Sequence, residues 1–416
     1  MTSNTSLQLL GGLLCELIDH RGRTPKKLGG DFSESGVVVL SAKNVKSGEI
    51  ILNSDVRYVS REMWDRWMPV KLKVGDILLT SEAPLGEAVY LSEKAEYCLG
   101  QRLFALRGDP RKINARYLYY ALISPSVQAR LLARSTGTTA QGIRQSELVK
   151  VLVEVLPKKD QDQIARILGT LDDKIELNRR MNATLEAMAQ AIFKSWFVDF
   201  DPVRAKMEGR EPVGMDAETA ALFPDAFEGV DGQEVPEGWN VSTIGSVLEL
   251  AYGKALKESD RHPGQIPVYG SNGQVGWHDE PLVKGPGIII GRKGNPGTVA
   301  WSQTDFFPID TTFYVVPKVR SMSLLYLYYE LMFQNLPSQG SDSAVPGLNR
   351  NIAYMNSITI PSNEIIKRFD ATIMPLFKLV HLNTMQSRTL AALRDTLLPK
   401  LISGEIRVPD AMVEVA

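Results

Sequence analysis

The sequence is poor in the residues that build disulfides, metal centres and catalytic triads. Among 416 residues there are two cysteines and four histidines. Cys15 and Cys98 lie far apart and have no metal-ligand spacing, which excludes a disulfide scaffold and suits a reducing cytoplasm. The histidines are scattered too, which argues against a metal site or a catalytic triad; they are His20, His262, His278 and His381.

The chain also lacks long hydrophobic runs and a surplus of one charge. No stretch approaches the roughly 18 consecutive apolar residues of a transmembrane helix, and the N-terminus has no signal-peptide pattern. We therefore expect a cytoplasmic protein with no membrane partner. The formal net charge of −1 gives no reason by itself to expect a nucleic-acid partner. A length of 416 residues predicts two or more domains.

The small net charge hides an uneven distribution along the chain. Residues 1–156 contain 21 lysines and arginines against 16 acidic residues, whereas residues 201–240 contain 3 against 10. The acidic stretch is rich in proline and glycine and has little hydrophobic periodicity. This composition predicts an acidic surface connector over residues 201–237.

The sequence nearly repeats itself at a period of roughly 200 residues. The motif YLYY at Tyr117–Tyr120 recurs at Tyr326–Tyr329, and GGLLCEL at Gly11 recurs as IGSVLEL at Ile244. In each half, short strand-like runs bounded by glycine and proline precede one long helical pattern. The predicted order is a globular domain at 1–156, a long helix at 157–200, the connector at 201–237, a second globular domain at 238–361, a second long helix at 362–404 and a tail at 405–416.

Both long helical patterns carry an apolar stripe at coiled-coil spacing, over residues 164–196 and 369–401. Each stripe is polar at its centre, and the polar positions are Asn178, Asn182, Asn383 and Ser387. Buried polar groups of this kind cost stability but fix helix register. Parallel and antiparallel packing both match the polar centres, and a repeat with a pseudo-twofold axis favours the antiparallel one. The alternative is that Asn178 simply faces solvent.

Residues 156–202 resemble the central conserved region of specificity subunits of type I restriction-modification enzymes. The Leu-Pro opening at Leu156, the Asp160–Gln161 pair, the LDDKI core and the FKSWF end are characteristic of that region. PEGW at Pro236 and DTLLPKLISGEI, ending at Ile406, are also typical of this family. One departure is the opening of the second helix, PSNEIIKRF, which lacks the Glu-Gln pair.

The resemblance implies an α+β protein with two strand-rich target recognition domains separated by two long helices in an antiparallel coiled coil. Each domain would contact one half of an interrupted double-stranded DNA target. The helices would act as a spacer and bind two methyltransferase (M) subunits, and restriction (R) subunits would join the full complex. S-adenosylmethionine, ATP and Mg would belong to those partners, so this chain would be non-catalytic.

The missing motifs agree with a non-catalytic subunit. The sequence has no GxxxxGK[ST] phosphate loop, no amino-methyltransferase motif of the Asn/Asp-Pro-Pro-aromatic type, and no convincing nuclease constellation of carboxylates and lysine. Two other functions stay open at this point. One is a stand-alone DNA methyltransferase or nuclease, which a methylation assay on the isolated chain would detect. The other is a coiled-coil protein-binding scaffold, which would lack salt-dependent DNA binding.

Loops rich in basic, amide and hydroxyl side chains are the candidates for DNA contact, because Lys and Arg bind phosphates and polar side chains bind base edges. The candidates in the first half are Arg23, Lys26, Lys27, Lys43, Asn44, Thr138, Gln141 and Arg144. Those in the second half are Lys254, Lys257, Ser271, Asn272, Arg292, Lys293, Asn349 and Arg350. For any single residue the alternative is a solvated loop position. Gly142-Ile143 and Gly347-Leu348 occupy the same place in the repeat, which predicts a shared backbone role.

The end of the first long helix, AIFKSWFVDF, carries aromatic side chains on several faces. A two-helix seam can bury only one of these faces fully, and exposed apolar patches usually mark interfaces. Phe193, Trp196 and Phe197 are therefore predicted to contact a methyltransferase subunit or the adjoining domain. The alternative is that a recognition domain covers them alone.

Overall fold

The computed structural model of the protein describes residues 5–52, 56–137, 140–230, 232–319, 322–339 and 347–406. The chain divides into two compact units. The first unit contains residues 1–177 and 386–416, and the second contains residues 178–385. Each of the two long helices contributes one part to each unit. Within the described ranges, no helix has the combined length and apolar character needed to cross a membrane.

The first unit is built from short strands, short helices and parts of the long helices. Its strands are β1 (Ser6–Leu9), β2 (Leu14–Asp19), β3 (Val37–Leu40), β4 (Val45–Lys46), β5 (Glu49–Ile50), β6 (Arg57–Val59), β7 (Ile77–Thr80), β8 (Ala88–Tyr90), β9 (Tyr97–Leu99), β10 (Leu103–Gly108) and β11 (Leu152–Val155). Its helices are α1 (Leu10–Leu13), α2 (Arg61–Trp67), α3 (Ala115–Ile123), α4 (Pro125–Ala133), α5 (Gln145–Leu148), the start of α6 (Lys158–Phe197) and the end of α12 (Asn363–Ser403).

The second unit is also built from short strands, short helices and parts of the long helices. Its strands are β12 (Phe227–Val230), β13 (Gln233–Pro236), β14 (Asn240–Thr243), β15 (Leu248–Tyr252), β16 (Ile266–Gly270), β17 (Gly273–His278), β18 (Gly287–Gly291), β19 (Val299–Ser302), β20 (Phe307–Pro308), β21 (Thr312–Pro317) and β22 (Ser357–Ile360). Its helices are α7 (Asp201–Met207), α8 (Ala217–Ala221), α9 (Ile244–Val247), α10 (Leu324–Phe333), α11 (Arg350–Met355) and most of α12 (Asn363–Ser403), together with the end of α6.

The two units share one sheet topology. The four-stranded sheet β2-β10-β7-β8 of the first corresponds to β15-β21-β18-β19 of the second, and the three-stranded sheet β6-β3-β9 corresponds to β17-β16-β20. In both three-stranded sheets one neighbouring pair is parallel. The YLYY motifs lie on α3 and α10, where Tyr117 and Tyr326 are buried and donate to the backbone of β11 and β22. The internal repeat and the mixed α+β class are confirmed.

The long helices run antiparallel, as the contacts in the second unit establish. Asn178 contacts the backbone of Asn383, and Asn182, one turn further along α6, contacts the backbone of Val380. Residue numbers therefore rise along one helix as they fall along the other. None of the described side chains in either predicted stripe is fully exposed. The antiparallel coiled coil is confirmed.

An ion pair joins the two helices in the first unit. Arg394 of α12 donates to Asp172 of α6 at 2.8 Å, and the hydroxyl of Tyr120 on α3 donates to the same carboxylate at 2.6 Å. Burial, followed by the nearby Asp172 charge, raises the pKa of Tyr120, so this phenol stays a donor at neutral pH. The contact ties the globular part of the unit to both long helices.

The acidic segment is more ordered than its composition predicts. It contains α7, α8 and the β12–β13 hairpin, and it buries Val203 and Phe223 in the core of the second unit. Arg368 of α12 pairs with Asp216 at 2.9 Å and Glu218 at 3.1 Å. The prediction of an irregular surface connector misses this because helices of 7 and 5 residues are too short to give a periodic signal.

The sequence predicts that the aromatic end of α6 contacts a methyltransferase subunit or the adjoining domain; the methyltransferase alternative is wrong, and the adjoining domain covers this end. Phe193, Trp196 and Phe197 are all buried inside the second unit. Phe193 is in contact with rings from α10 and α12, namely Tyr326, Tyr329, Phe333 and Phe369. Trp196 meets Phe223 of the acidic segment edge to face. The chain's own residues therefore cover these faces, and the three side chains are not available to a partner subunit.

Candidate nucleic-acid interface

A cluster of cations surrounds a half-exposed aromatic ring in the second unit. Tyr252, the last residue of β15, is 50% exposed. The guanidinium carbon of Arg292 lies 4.8 Å from the centre of this ring, and that of Arg350 lies 5.0 Å from it. Arg292 follows β18 and Arg350 begins α11, so three loops that are distant in the sequence meet here. An exposed aromatic ring can stack on a nucleic-acid base, and the two guanidinium groups can bind phosphates.

Backbone hydrogen bonds fix the position of this cluster. Leu348 N–H donates to Arg292 O at 2.9 Å, and Arg292 N–H donates to Thr311 O at 2.9 Å. Lys293 forms an isolated antiparallel bridge with Gly347. Among the described residues, no carboxylate forms an ion pair with Arg292, Lys293 or Arg350. These three cations give the loop cluster a positive charge that attracts anionic ligands.

Neighbouring loops place further predicted residues beside the cluster. Ser271 and Asn272 form the tip of the β16–β17 hairpin, where Thr298 donates to Ser271 O at 2.8 Å and Asn295 donates to Asn272 Oδ1 at 2.5 Å. The hairpin tip thus lies against the loop that carries Arg292 and Lys293. Lys254 and Lys257 are exposed on the loop that follows Tyr252.

Two predicted asparagines have structural roles instead. Asn44 is buried, its Oδ1 accepts from Ser41 N–H and its Nδ2 donates to Ile51 O, both at 2.9 Å. It closes a turn and cannot reach a base, so that prediction is wrong. Asn349 caps α11 by accepting from the N–H groups of Asn351 and Ile352, which positions Arg350 at the first turn. The sequence alone does not distinguish a helix-capping residue from a base-contacting residue, because both are polar residues in loops.

In the first unit, Arg21 joins two of the loops that carry predicted DNA contacts, although Arg21 itself is not one of the predicted residues. Its guanidinium donates to both carboxylate oxygens of Asp19 and to Ile143 O at 3.1 Å, and it lies 4.1 Å from the ring centre of Phe104. Arg23 donates to Trp67 O at 2.9 Å and is half-buried. Adjacent side chains remain exposed at this edge; they are Lys26, Lys27, Lys43, Gln141 and Arg144. Thr138 lies outside the described residues.

His20 lies directly beside this loop and is buried. Both of its ring nitrogens lack a hydrogen-bond partner among the described residues. Burial, followed by the charge of Arg23, lowers the pKa of His20. The neutral ring therefore persists at neutral pH and adds no charge to the interface.

The same backbone arrangement supports both loop clusters. Ile143 N–H donates to Ser81 O at 2.9 Å while Gly142 bridges Glu82, and Leu348 and Gly347 make the equivalent contacts to Arg292 and Lys293. The predicted correspondence of the two glycine-containing loops is confirmed. The side chains at these equivalent positions differ in charge. The first unit has Glu82, which pairs with Arg102 at 3.1 Å, and the second unit has Lys293.

The seam between the long helices contains an asparagine cluster in the second unit. Asn178 is fully buried and its Nδ2 donates to Asn383 O at 3.3 Å. Asn383 Nδ2 donates to Asn182 Oδ1 at 2.9 Å, and Asn182 Nδ2 donates to Thr384 Oγ1 at 3.2 Å. Ser387, the fourth predicted position, lies on α12 in the first unit and is half-buried. Hydrogen bonds from these amides therefore link α6 and α12 in this register.

Replacing Asn178 and Asn383 together with leucine is expected to leave the chain folded, with a melting temperature equal to or above that of the parent. Two of the three clustered amides are replaced by apolar side chains, which removes their burial cost, and Asn182 keeps its bonds to Val380 O and Thr384 Oγ1. The amide bond between Asn383 and Asn182 is lost, and with it the preference for one register. Spin labels at Thr184 and Thr372, in a background without Cys15 and Cys98, should show a broadened distance distribution. Asn178→Leu alone is the control, and it should destabilise the chain. A double variant with a single sharp distance would contradict the register role.

Comparisons with known proteins agree with this architecture. The family model described as "Type I restriction modification DNA specificity domain" matches residues 12–187 and 236–384. The HindI specificity subunit of Haemophilus influenzae is 28% identical, over 80% of this chain and 87% of that protein. The MjaIX specificity subunit of Methanocaldococcus jannaschii is 25% identical, over 81% and 78%. The crystal structure of a type I restriction-modification S subunit from M. genitalium shares the fold, with a TM-score of 0.56 and 20% identity over 96% of this chain and 99% of that one. The chain therefore belongs to the family of type I restriction-modification DNA specificity domains.

Proposed function

We propose that this chain is the specificity subunit of a type I restriction-modification complex and that each of its two units recognises one half of an interrupted double-stranded DNA target. The observation that carries the proposal is the repeated loop cluster, in which Gly142 and Gly347 make equivalent backbone contacts next to side chains that differ between the units. A common scaffold with variable side chains suits the recognition of two different half-sites.

The proposal assigns no catalysis to this chain. Methylation and cleavage, with S-adenosylmethionine, ATP and Mg, would belong to two methyltransferase subunits and to restriction subunits. The missing phosphate loop and methyltransferase motif support this assignment. Cys15 and Cys98 are both free, which is consistent with action in the cytoplasm.

Co-expression of the chain with its methyltransferase subunit, followed by methylome sequencing of the host, tests the proposal. The expected result is methylation of one interrupted motif that is absent when either subunit is expressed alone. If the chain alone methylated DNA, it would be an enzyme. If the methyltransferase modified the same motif without the chain, this chain would not determine specificity.

The long helices offer an exposed apolar surface for the methyltransferase subunit. In the second unit, Leu382 of α12 is 63% exposed, and Leu379, three residues earlier on the same helix, is also exposed. Apolar side chains on a helix face that the chain itself does not cover favour a protein interface. This surface replaces the buried aromatic residues as the candidate contact.

Leu382→Asp is expected to reduce co-purification with the methyltransferase subunit at least about tenfold, because a charge would be buried at the centre of the contact. Val213→Asp is the matched control, since Val213 is 96% exposed and belongs to the acidic segment, not to either long helix. Melting temperatures of both variants should equal that of the parent. Equal co-purification of the two variants would place the methyltransferase elsewhere.

A further inference from the structure

Two of the four histidines meet an aspartate in the second unit, although they are separated in the sequence. Nδ1 of His262 lies 3.4 Å from one Asp279 carboxylate oxygen, and Nδ1 of His278 lies 3.1 Å from the other. One possible ligand atom from each of the three residues lies within 4.8 Å of the other two. Histidines that are scattered in the sequence, which argues against a metal site, are thus brought together with a carboxylate by the fold.

Hairpin register brings these residues together. Ile266 of β16 pairs with His278 of β17, so the turn before β16 folds back over the end of β17. Gly264 in this turn packs so closely that a Cβ there would lie 2.1 Å from His278 O. The turn is thus held against His278 and Asp279 by backbone packing. The three side chains do not have to be gathered from separate mobile loops.

The two nitrogen–oxygen distances, 3.4 and 3.1 Å, are close to the ligand spacing around a small transition-metal ion, and small side-chain rotations would bring together ligand atoms that lie within 4.8 Å of one another. Tetrahedral Zn²⁺ with nitrogen and oxygen ligands at about 2.0–2.2 Å places neighbouring ligand atoms about 3.3–3.5 Å apart. Two imidazoles and one carboxylate suit Zn²⁺ and similar ions better than Ca²⁺ or Mg²⁺, which prefer oxygen ligands. His278 is 7% exposed and forms the buried wall of the site, whereas His262 and Asp279 are exposed and leave room for water.

We propose that His262, His278 and Asp279 bind one Zn²⁺ or a similar divalent transition-metal ion, with water completing the coordination. The competing arrangement is a hydrogen-bonded cluster, because His262 N–H donates to His278 Nδ1 at 3.2 Å. A metal ion bound to His278 Nδ1 would displace this hydrogen bond, and the backbone N–H of His262 would then donate to water. The proposal does not depend on the proposed DNA recognition.

The ion would hold the β16–β17 hairpin at the end opposite its tip. β17 runs from Gly273 to His278, and its other end adjoins the tip that carries Ser271 and Asn272. A rise of about 3.4 Å per residue separates the metal site from that tip by roughly 17–20 Å. The ion is therefore a structural brace for the hairpin and lies outside the DNA-contacting loops.

Zinc binding by the full-length chain tests the proposal. The chain, purified without a histidine tag and treated with chelator, should bind about one equivalent of Zn²⁺ with roughly micromolar affinity in titration calorimetry. His262→Ala should weaken binding at least about tenfold, because it removes one of three ligands. Zn²⁺ should raise the melting temperature of the parent chain and leave that of His262→Ala unchanged.

Two further variants separate this site from non-specific binding. His381→Ala removes a histidine of α12 outside the site and should bind Zn²⁺ like the parent. Asp279→Asn should weaken binding and alter the visible spectrum of the Co²⁺-substituted protein. No stoichiometric binding at about 100 µM Zn²⁺, or equal affinity of His262→Ala and the parent, would overturn the proposal and leave the hydrogen-bonded cluster.

Discussion

Exchange of residues 1–156 for the same domain of a relative with another target is expected to change one half of the methylated sequence and leave the other half intact. The first unit has its own hydrophobic cores and its own loop cluster around Ile143. The junction falls just before α6, so the donor domain must still contact that helix. A tyrosine at the position of Tyr120 preserves the bond to Asp172, and an arginine at Arg116 preserves the pair with Asp173. Methylome sequencing of the host gives both half-sites in one experiment.

The reciprocal exchange of residues 238–361 is the matched control. It should change only the half-site that the first exchange leaves intact. Each chimera should unfold at a temperature near that of the parent, which excludes general loss of structure. A change in both half-sites after either exchange would contradict recognition by two separate domains.

Replacement of both Arg292 and Arg350 with alanine is expected to lower the affinity for target DNA by about 10- to 100-fold at physiological salt. These two guanidiniums lie against Tyr252, and no described carboxylate forms an ion pair with either of them. If both contact phosphates, the slope of log affinity against log salt should become less steep by about 2. Fluorescence anisotropy with a labelled target duplex at several salt concentrations measures both quantities.

Arg210→Ala is the control for a general loss of positive charge. Arg210 is exposed on the acidic segment and pairs with Glu208, so its removal should leave affinity and salt slope unchanged. Folding of the double variant is checked by its melting temperature, because Arg350 also donates to Leu250 O at 3.4 Å. A folded double variant with the parent's affinity and slope would remove this cluster from the DNA interface.

Much of the architecture follows from sequence patterns that extend over many residues. The stripes of the two long helices predict that the helices pair, and the internal repeat favours their antiparallel direction and predicts two similar globular domains, because each pattern consists of many concordant positions. The buried amide at Asn178 follows from the same spacing. These features depend on local periodicity, which one sequence contains in full.

The individual site residues depend on contacts that periodicity does not encode. Asn44 has the type of side chain expected of a DNA-contacting loop residue. Its amide oxygen, however, accepts from Ser41 N–H, and its amide nitrogen donates to Ile51 O. The aromatic side chains at the end of α6 point in several directions, and the sequence does not show which elements cover them. In the structure, α10 and α12 do so. His262 and His278 meet because of strand register, which a single sequence fixes poorly.

The opposite charges of Glu82 and Lys293 at equivalent backbone positions give the protein a polarity. A duplicated scaffold with identical side chains would bind a palindrome equally well in two orientations. If these loops contact DNA as proposed, one half-site would meet the Glu82 carboxylate with its partner Arg102, and the other would meet the Lys293 ammonium, which can only donate. The complex on DNA would thus have a defined left and right. Two identical partner subunits bound to it would encounter chemically different ends of the same target.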